Sequence, residues 1–121
     1  MGLDMYAFVT KEPFEGCVDF QVEDATEIHY WRKHPNLHGW MEQLYRDKGG
    51  ASECFNCVNV EINEDDLDRL EDAVHMSELP PTSGFFFGKS DGSEVDDDLR
   101  FIRIARKAIK FGNVVYYSAC W

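Results

Sequence analysis

Apolar residues in this chain fall into short alternating runs and longer stripes spaced by three and four, separated by glycine, proline and acidic punctuation. The opening "LDMYAFVT", apolar around Met5, Tyr6, Phe8 and Val9, predicts a strand, and "KEPFEG" a turn after it. In "GCVDFQV" the residues Val18, Phe20 and Val22 alternate with Asp19 and Gln21, the period of a half-buried strand. Asp24 or Thr26 is placed to cap a short helix through Tyr30 and Trp31. That helix is expected to end or kink at His34, because the following Pro35 disfavours helical geometry there. Pro35 in turn suits the first turn of a second helix. Its stripe would be Leu37, Trp40, Met41 and Leu44, and "GG" at 49–50 would end it.

Further along, "FNCVNVEI" predicts a strand with Val58, Val60 and Ile62 on one face. Asn63 with Asp66 three residues on forms a capping pair for a helix whose stripe is Leu67, Leu70 and Val74. "ELPPTSG" is a loop, since its two prolines remove donors and fix φ. "GFFFG" predicts a short buried strand, with Phe85 and Phe87 on one face and Phe86 on the other. Ser93 as N-cap, with Asp96 at N3, would start a helix burying Val95, Leu99, Ile102, Ala105 and Ile109. That helix stops at Gly112, and "VVYYSACW" is a final strand. The expected order is β-β-α-α-β-α-β-α-β. It predicts one α+β domain over residues 1–121, a sheet of about five strands packed by three to four helices.

A chain of 121 residues, 44% apolar and 14% aromatic, can bury a core of its own. It has no apolar run of about 18 residues, so no membrane span is expected. The N-terminus shows no basic region before its short apolar stretch, and "MGLDMY" lacks the Ser/Thr of a myristoylation signal. A cytoplasmic setting and reduced thiols at Cys17, Cys54, Cys57 and Cys120 are the corresponding expectations. The formal net charge is -11, from 23 acidic and 12 basic residues. That balance argues against generic nucleic-acid binding, which needs clustered Lys/Arg. It suits a basic partner or mimicry of a nucleic acid's charge. The acidic surface would comprise Glu64, Asp65, Asp66, Asp68, Asp96, Asp97 and Asp98.

Candidate chemistry concentrates in "IHYWRKHPNLHGWMEQLY". Arg32 offers a planar fork for phosphate or carboxylate, Tyr30 and Trp31 offer stacking faces, and Lys33 adds charge. His38, Glu42 and Tyr45 follow along one flank of the next helix, whose N-terminus carries a positive partial charge. Tyr30, Trp31, Arg32, Lys33 and His38 are therefore candidates to bind a small anionic ligand or a partner, with Ser83 in the "TSGFFFG" loop as a wall. His34 and His38, with Cys54 and Cys57, have ligand spacings for tetrahedral zinc. Pro35 divides the histidine pair, however, and a strand would turn the two cysteines to opposite faces, so no metal or cofactor is expected. Cys54, Cys57 or Ser83 could serve as a nucleophile beside His38, though no local motif selects a pair. Arg100, Arg103, Lys107 and Lys110 recur at i, i+3, i+7 and i+10, which is either a solvated helix face or a small anion site.

Four separated motifs, "MGLDMY", "YWRKHPNLHGW", "PTSGFFFG" and the ending "YYSACW", together resemble a family of small phage and prophage proteins. The acidic capped segment "VEINEDDLDRLEDAV" is similar to that family's as well. The matches fall on Gly2, Leu3, Asp4, Met5 and Tyr6, then on Tyr30, Trp31, Arg32, Lys33, Leu37, His38 and Trp40. They continue on Ser83, Gly84, Phe85, Phe86, Phe87 and Gly88, and end on Tyr117 and Trp121. His34 and the CxxC lie outside the pattern. The resemblance implies a mobile-element origin and an intracellular setting. With the acidic charge, it leads to the expectation of a non-enzymatic accessory protein that binds and modulates a host protein, such as a defence component. The alternative is a nucleotide-binding protein or phosphoester-directed enzyme with its pocket around Tyr30, Arg32, Lys33 and His38.

Overall fold

The computed structural model describes residues 2–11, 16–84 and 87–121. The elements in chain order are β1 (Asp4–Thr10), β2 (Thr26–Arg32), α1 (Pro35–Asp47), β3 (Asn59–Ile62), α2 (Glu64–His75), α3 (Val95–Lys110) and β4 (Val114–Cys120). The strands form one antiparallel sheet in the order β2-β1-β4-β3. The first and last strands therefore pair at its centre, Asp4↔Cys120 through Thr10↔Val114. The architecture is α+β, with four strands and three helices among the described residues.

Strand alternation divides the sheet into two faces. Met5, Ala7, Trp31, Val60, Ile62, Val115, Tyr117 and Ala119 are buried, and belong to one core with the helix stripes. That core holds Leu37, Met41 and Leu44 of α1, Leu67, Leu70 and Val74 of α2, and Phe101, Ile102 and Ala105 of α3. The opposite face carries Tyr6, Phe8, Tyr30 and Tyr116, whose rings sit 5.2–5.8 Å from a neighbour's. Phe20 packs edge-on over Tyr116.

Local signals place several elements as expected. Pro35 opens α1, and Asn63 and Asp66 form a reciprocal capping box on α2. The segment 24–32 is a correction: it is strand β2, not a helix. Thr26, Ile28, Tyr30 and Trp31 suit a pleated surface, and pairing Met5↔Trp31 buries the indole. Residues 16–22 do not form a strand. Only Val18 bridges Val60, and Asp19 takes a left-handed φ of 56°. Ser93 does not cap α3, whose N-cap is Glu94, and its hydroxyl instead donates to Asp91. Phe85 and Phe86 of the expected "GFFFG" strand lie outside the described residues, and Gly84, Phe87 and Gly88 are not in a strand. Gly88 has φ +75°, and a Cβ there would stand 3.0 Å from that of Lys33.

The thiol expectation is also corrected. The β3–β4 register pairs Asn59 with Ser118 and continues to set Cys57 opposite Cys120. Their Cα atoms are 4.7 Å apart and a disulfide joins them, while Cys17 and Cys54 are free. No helix among the described residues is long and apolar enough to cross a membrane.

Candidate functional site

The chain leaves β2 at Arg32, turns through Lys33 at φ 57°, and enters α1 at Pro35. The turn is pinned by the Lys33 N–H, which donates to the Leu3 carbonyl at 2.9 Å. This corner holds a connected polar network. Trp31, on the core face of β2, donates its Nε1–H to Asp98 Oδ1 at 3.0 Å. Asp98 Oδ2 lies 2.9 Å from His34 Nε2, and His34 Nδ1 lies 2.6 Å from Ser90 Oγ. Ser90 Oγ also accepts the Asn36 N–H at 3.1 Å, from the first turn of α1. A carboxylate only accepts, so the Nε2 proton belongs to the bond with Asp98, and Nδ1 is left to accept from the Ser90 hydroxyl.

His34 and Asp98 are 3% and 1% exposed, and Ser90 is half-buried. The cleft beside them, about 160 Å³, is walled by Val74, Leu79 and Val95 and bordered by Asn36 and Glu94. Sequence reasoning missed this cluster. The signal was present, because the buried stripe of α3 runs through Phe101, Ile102 and Ala105, and one turn before it stands Asp98. An acid on an apolar stripe calls for a buried partner.

One turn into α1, His38 meets different surroundings. Its Nδ1 lies 2.7 Å from the Tyr117 hydroxyl, its ring is also bonded to the Phe55 backbone, and Phe55 and Phe87 stand 4.9 and 5.4 Å away. Burial lowers its pKa to about 4, and burial likewise raises that of Tyr117 well above the usual tyrosine range. His38 is thus neutral and accepts from the Tyr117 O–H. A cleft of about 260 Å³ brings His38, Glu42, Cys54 and Ser83 together, with Phe87 and Trp121.

The pocket expected around Tyr30, Trp31, Arg32, Lys33 and His38 is not formed as a unit. Tyr30 and Arg32 point to the other face of the sheet, where both bond Asp4 Oδ1, at 2.6 and 2.8 Å. The Tyr30 hydrogen bond foremost, then the Arg32 charge, holds the Asp4 carboxyl below the usual range. Trp31 is in the core, and Lys33 lies along Gly88. Tyr45 is also elsewhere, donating to Asp19. Strand alternation is the reason: neighbours in β2 face opposite ways.

The acidic residues separate too. Asp66 is 2% exposed, bound by Lys48 and Arg69, and Asp98 is inside the corner network. Asp68 and Glu71 pair with Arg106, and Asp97 with His29. Glu64, Asp65 and Asp96 are exposed. Arg100, Arg103, Lys107 and Lys110 all lie exposed along α3, and none of the four is in an ion pair among the described residues.

The zinc spacing does not assemble. His34 and His38 are turned to Asp98 and Tyr117, Cys57 is bonded to Cys120, and no three candidate ligands cluster among the described residues. Comparison of the chain with protein-family models, curated proteins and solved structures finds no match to any of them.

Proposed function

We propose that the chain is a partner-binding protein of the phage-accessory kind its motifs resemble, and that it engages a host protein through the outer surface of α2 and α3. The observation that carries this reading is the segregation of charge on those two helices. Arg100, Arg103, Lys107 and Lys110 lie along one stripe of α3 with no ion-pair partner among the described residues. On α2, Glu64, Asp65, Asp68 and Asp72 are exposed. Arg106 of α3 reaches Asp68 and Glu71 of α2 and forms the seam between them.

Such a two-signed surface suits a protein carrying both charges more than a uniformly basic channel. Two of the seven acids offered for mimicry, Asp66 and Asp98, are consumed internally, which further favours this choice. The nucleotide alternative is weakened because Arg32 is engaged by Asp4.

The test is affinity capture from host lysate with quantitative mass spectrometry. It would compare the natural chain with Arg100→Glu/Arg103→Glu/Lys107→Glu and with Glu64→Gln/Asp65→Asn/Asp72→Asn. A partner retained by the natural chain should fall at least tenfold, about 1.4 kcal/mol, with either variant and should release in high salt. Loss with the α2 variant alone would return the reading to acidic mimicry. Retention by both would overturn it.

A further inference from the structure

We infer that the cleft between the N-termini of α1 and α3 is a nucleophilic serine site for small acyl esters. Ser90 would be the nucleophile, His34 its base and Asp98 the positioning residue for that base. This inference is independent of the α2–α3 surface.

The geometry is a continuous hydrogen-bonded chain that joins Ser90 and Asp98, eight residues apart, through His34, more than fifty residues before them. Ser90 Oγ is 2.6 Å from His34 Nδ1, and His34 Nε2 is 2.9 Å from Asp98 Oδ2. Asp98 is itself fixed through its other oxygen by the Trp31 indole at 3.0 Å. A nucleophile bonded to a base that a third group orients is the arrangement that activates a hydroxyl, whichever ring nitrogen faces which partner. His34 and Asp98 are almost fully buried, while Ser90 reaches the cleft.

Each reacting charge has a counterpart nearby. The Asn36 N–H already donates to Ser90 Oγ at 3.1 Å. The first turn of α1, which carries no acid, borders the cleft beside Ser90 and adds a positive partial charge there. Val74, Leu79 and Val95 give an apolar wall for the acyl group. The cleft is small, about 160 Å³, which suits a short acyl chain. Glu94 lies 3.9 Å from His34 Nδ1 and would repel an anionic ester. The substrate class is therefore a neutral or cationic ester with a short acyl chain.

In the step, Ser90 Oγ attacks the acyl carbon as its proton passes to His34 Nδ1. The carbon–oxygen bond to the alcohol then breaks, and the departing alkoxide takes that proton. Water attacks the acyl-serine in turn, giving one proton to His34 Nδ1, from which it returns to Ser90 Oγ as the acid leaves. Nothing is oxidised or reduced.

The test uses the full chain with a fluorophosphonate, which labels activated serines, and with p-nitrophenyl acetate. One added phosphonyl group, mapped by mass spectrometry to Ser90, is expected, with measurable turnover of the acetate. Ser90→Ala should abolish both, whereas Ser83→Ala should keep both. Added imidazole should restore activity to His34→Ala. Asp98→Asn should lower kcat at least 100-fold with a much smaller change in KM, since Asp98 acts on the reaction through His34. The anionic p-nitrophenyl hemisuccinate should react at least tenfold more slowly. Thermal melts identify any variant that fails to fold, and Ser90→Ala, at a half-buried position, keeps the proposal falsifiable. No labelling of the natural chain, labelling at another residue, or undiminished turnover by Ser90→Ala would overturn it.

Discussion

His34 and His38 are four residues apart, both nearly fully buried, and both use their two ring nitrogens, yet their environments are opposite in character. His34 is wired to a carboxylate and a hydroxyl, beside an open cleft. His38 is bonded to a phenol and a backbone group among Phe55, Phe87 and Tyr117. Residue type and burial are thus poor guides to chemistry. What matters is whether the partner can hold a charge. Asp98 brings a carboxylate to His34, whereas the groups bonded to His38, a phenol and a backbone carbonyl, carry no charge.

The largest effect that would sharpen this contrast is expected from Asp98→Ala. It strips the acceptor from both Trp31 Nε1–H and His34 Nε2–H in the core. A loss of about 3–5 kcal/mol follows for breaking a buried charged network, read by urea denaturation. A loss under about 1 kcal/mol would mean the network contributes little to the fold.

Next comes the pH dependence of His38. Its folded pKa of about 4 lies below the ordinary 6.5, so between those values the unfolded chain takes up a proton that the folded chain refuses. The stabilisation is present in full above pH 6.5 and is lost as pH falls toward 4, a total of roughly 3 kcal/mol. His38→Gln should remove that part of the slope. An unchanged slope would place the titration elsewhere.

Tyr117→Phe deletes the donor to His38 Nδ1 and leaves that nitrogen unpaired. About 1–2 kcal/mol is expected from denaturation, within the usual cost of a buried unsatisfied acceptor. The smallest effect is Ser90→Ala, about 1 kcal/mol, because Ser90 is half-buried and water can take the place of its hydroxyl at His34 Nδ1 and at the Asn36 N–H. If Ser90→Ala proved as costly as Asp98→Ala, the two histidines would both be structural, and the contrast would fail.

Much of the fold was legible locally. Pro35 marks the start of α1, and the Asn63–Asp66 box marks that of α2, because such signals act within one helical turn. The β2 segment reads locally as a helix, because Asp24 or Thr26 ahead of Tyr30 and Trp31 looks like a cap at short range. Only the Met5↔Trp31 and Tyr6↔Tyr30 pairing with β1 decides for a strand. The corner at residues 30–38 was visible as a place, through its density of aromatic and titratable groups. Its membership was not. Arg32 went to Asp4, while His34, set aside in the sequence pattern, went to Asp98 and Ser90.

The disulfide shows the same division. Cys54 and Cys57 look paired by spacing, yet the β3–β4 register sets Cys57 against Cys120 across 63 residues. By itself the sequence determined the starts of α1 and α2, most of the apolar stripes, the acidic balance and the α+β class, since these are written in residue types and local spacing. Tertiary structure alone decided which polar groups meet, because a buried Asp98, His34 or Cys57 takes the partner that sheet register and helix packing bring within bonding distance. No spacing along the chain encodes that distance.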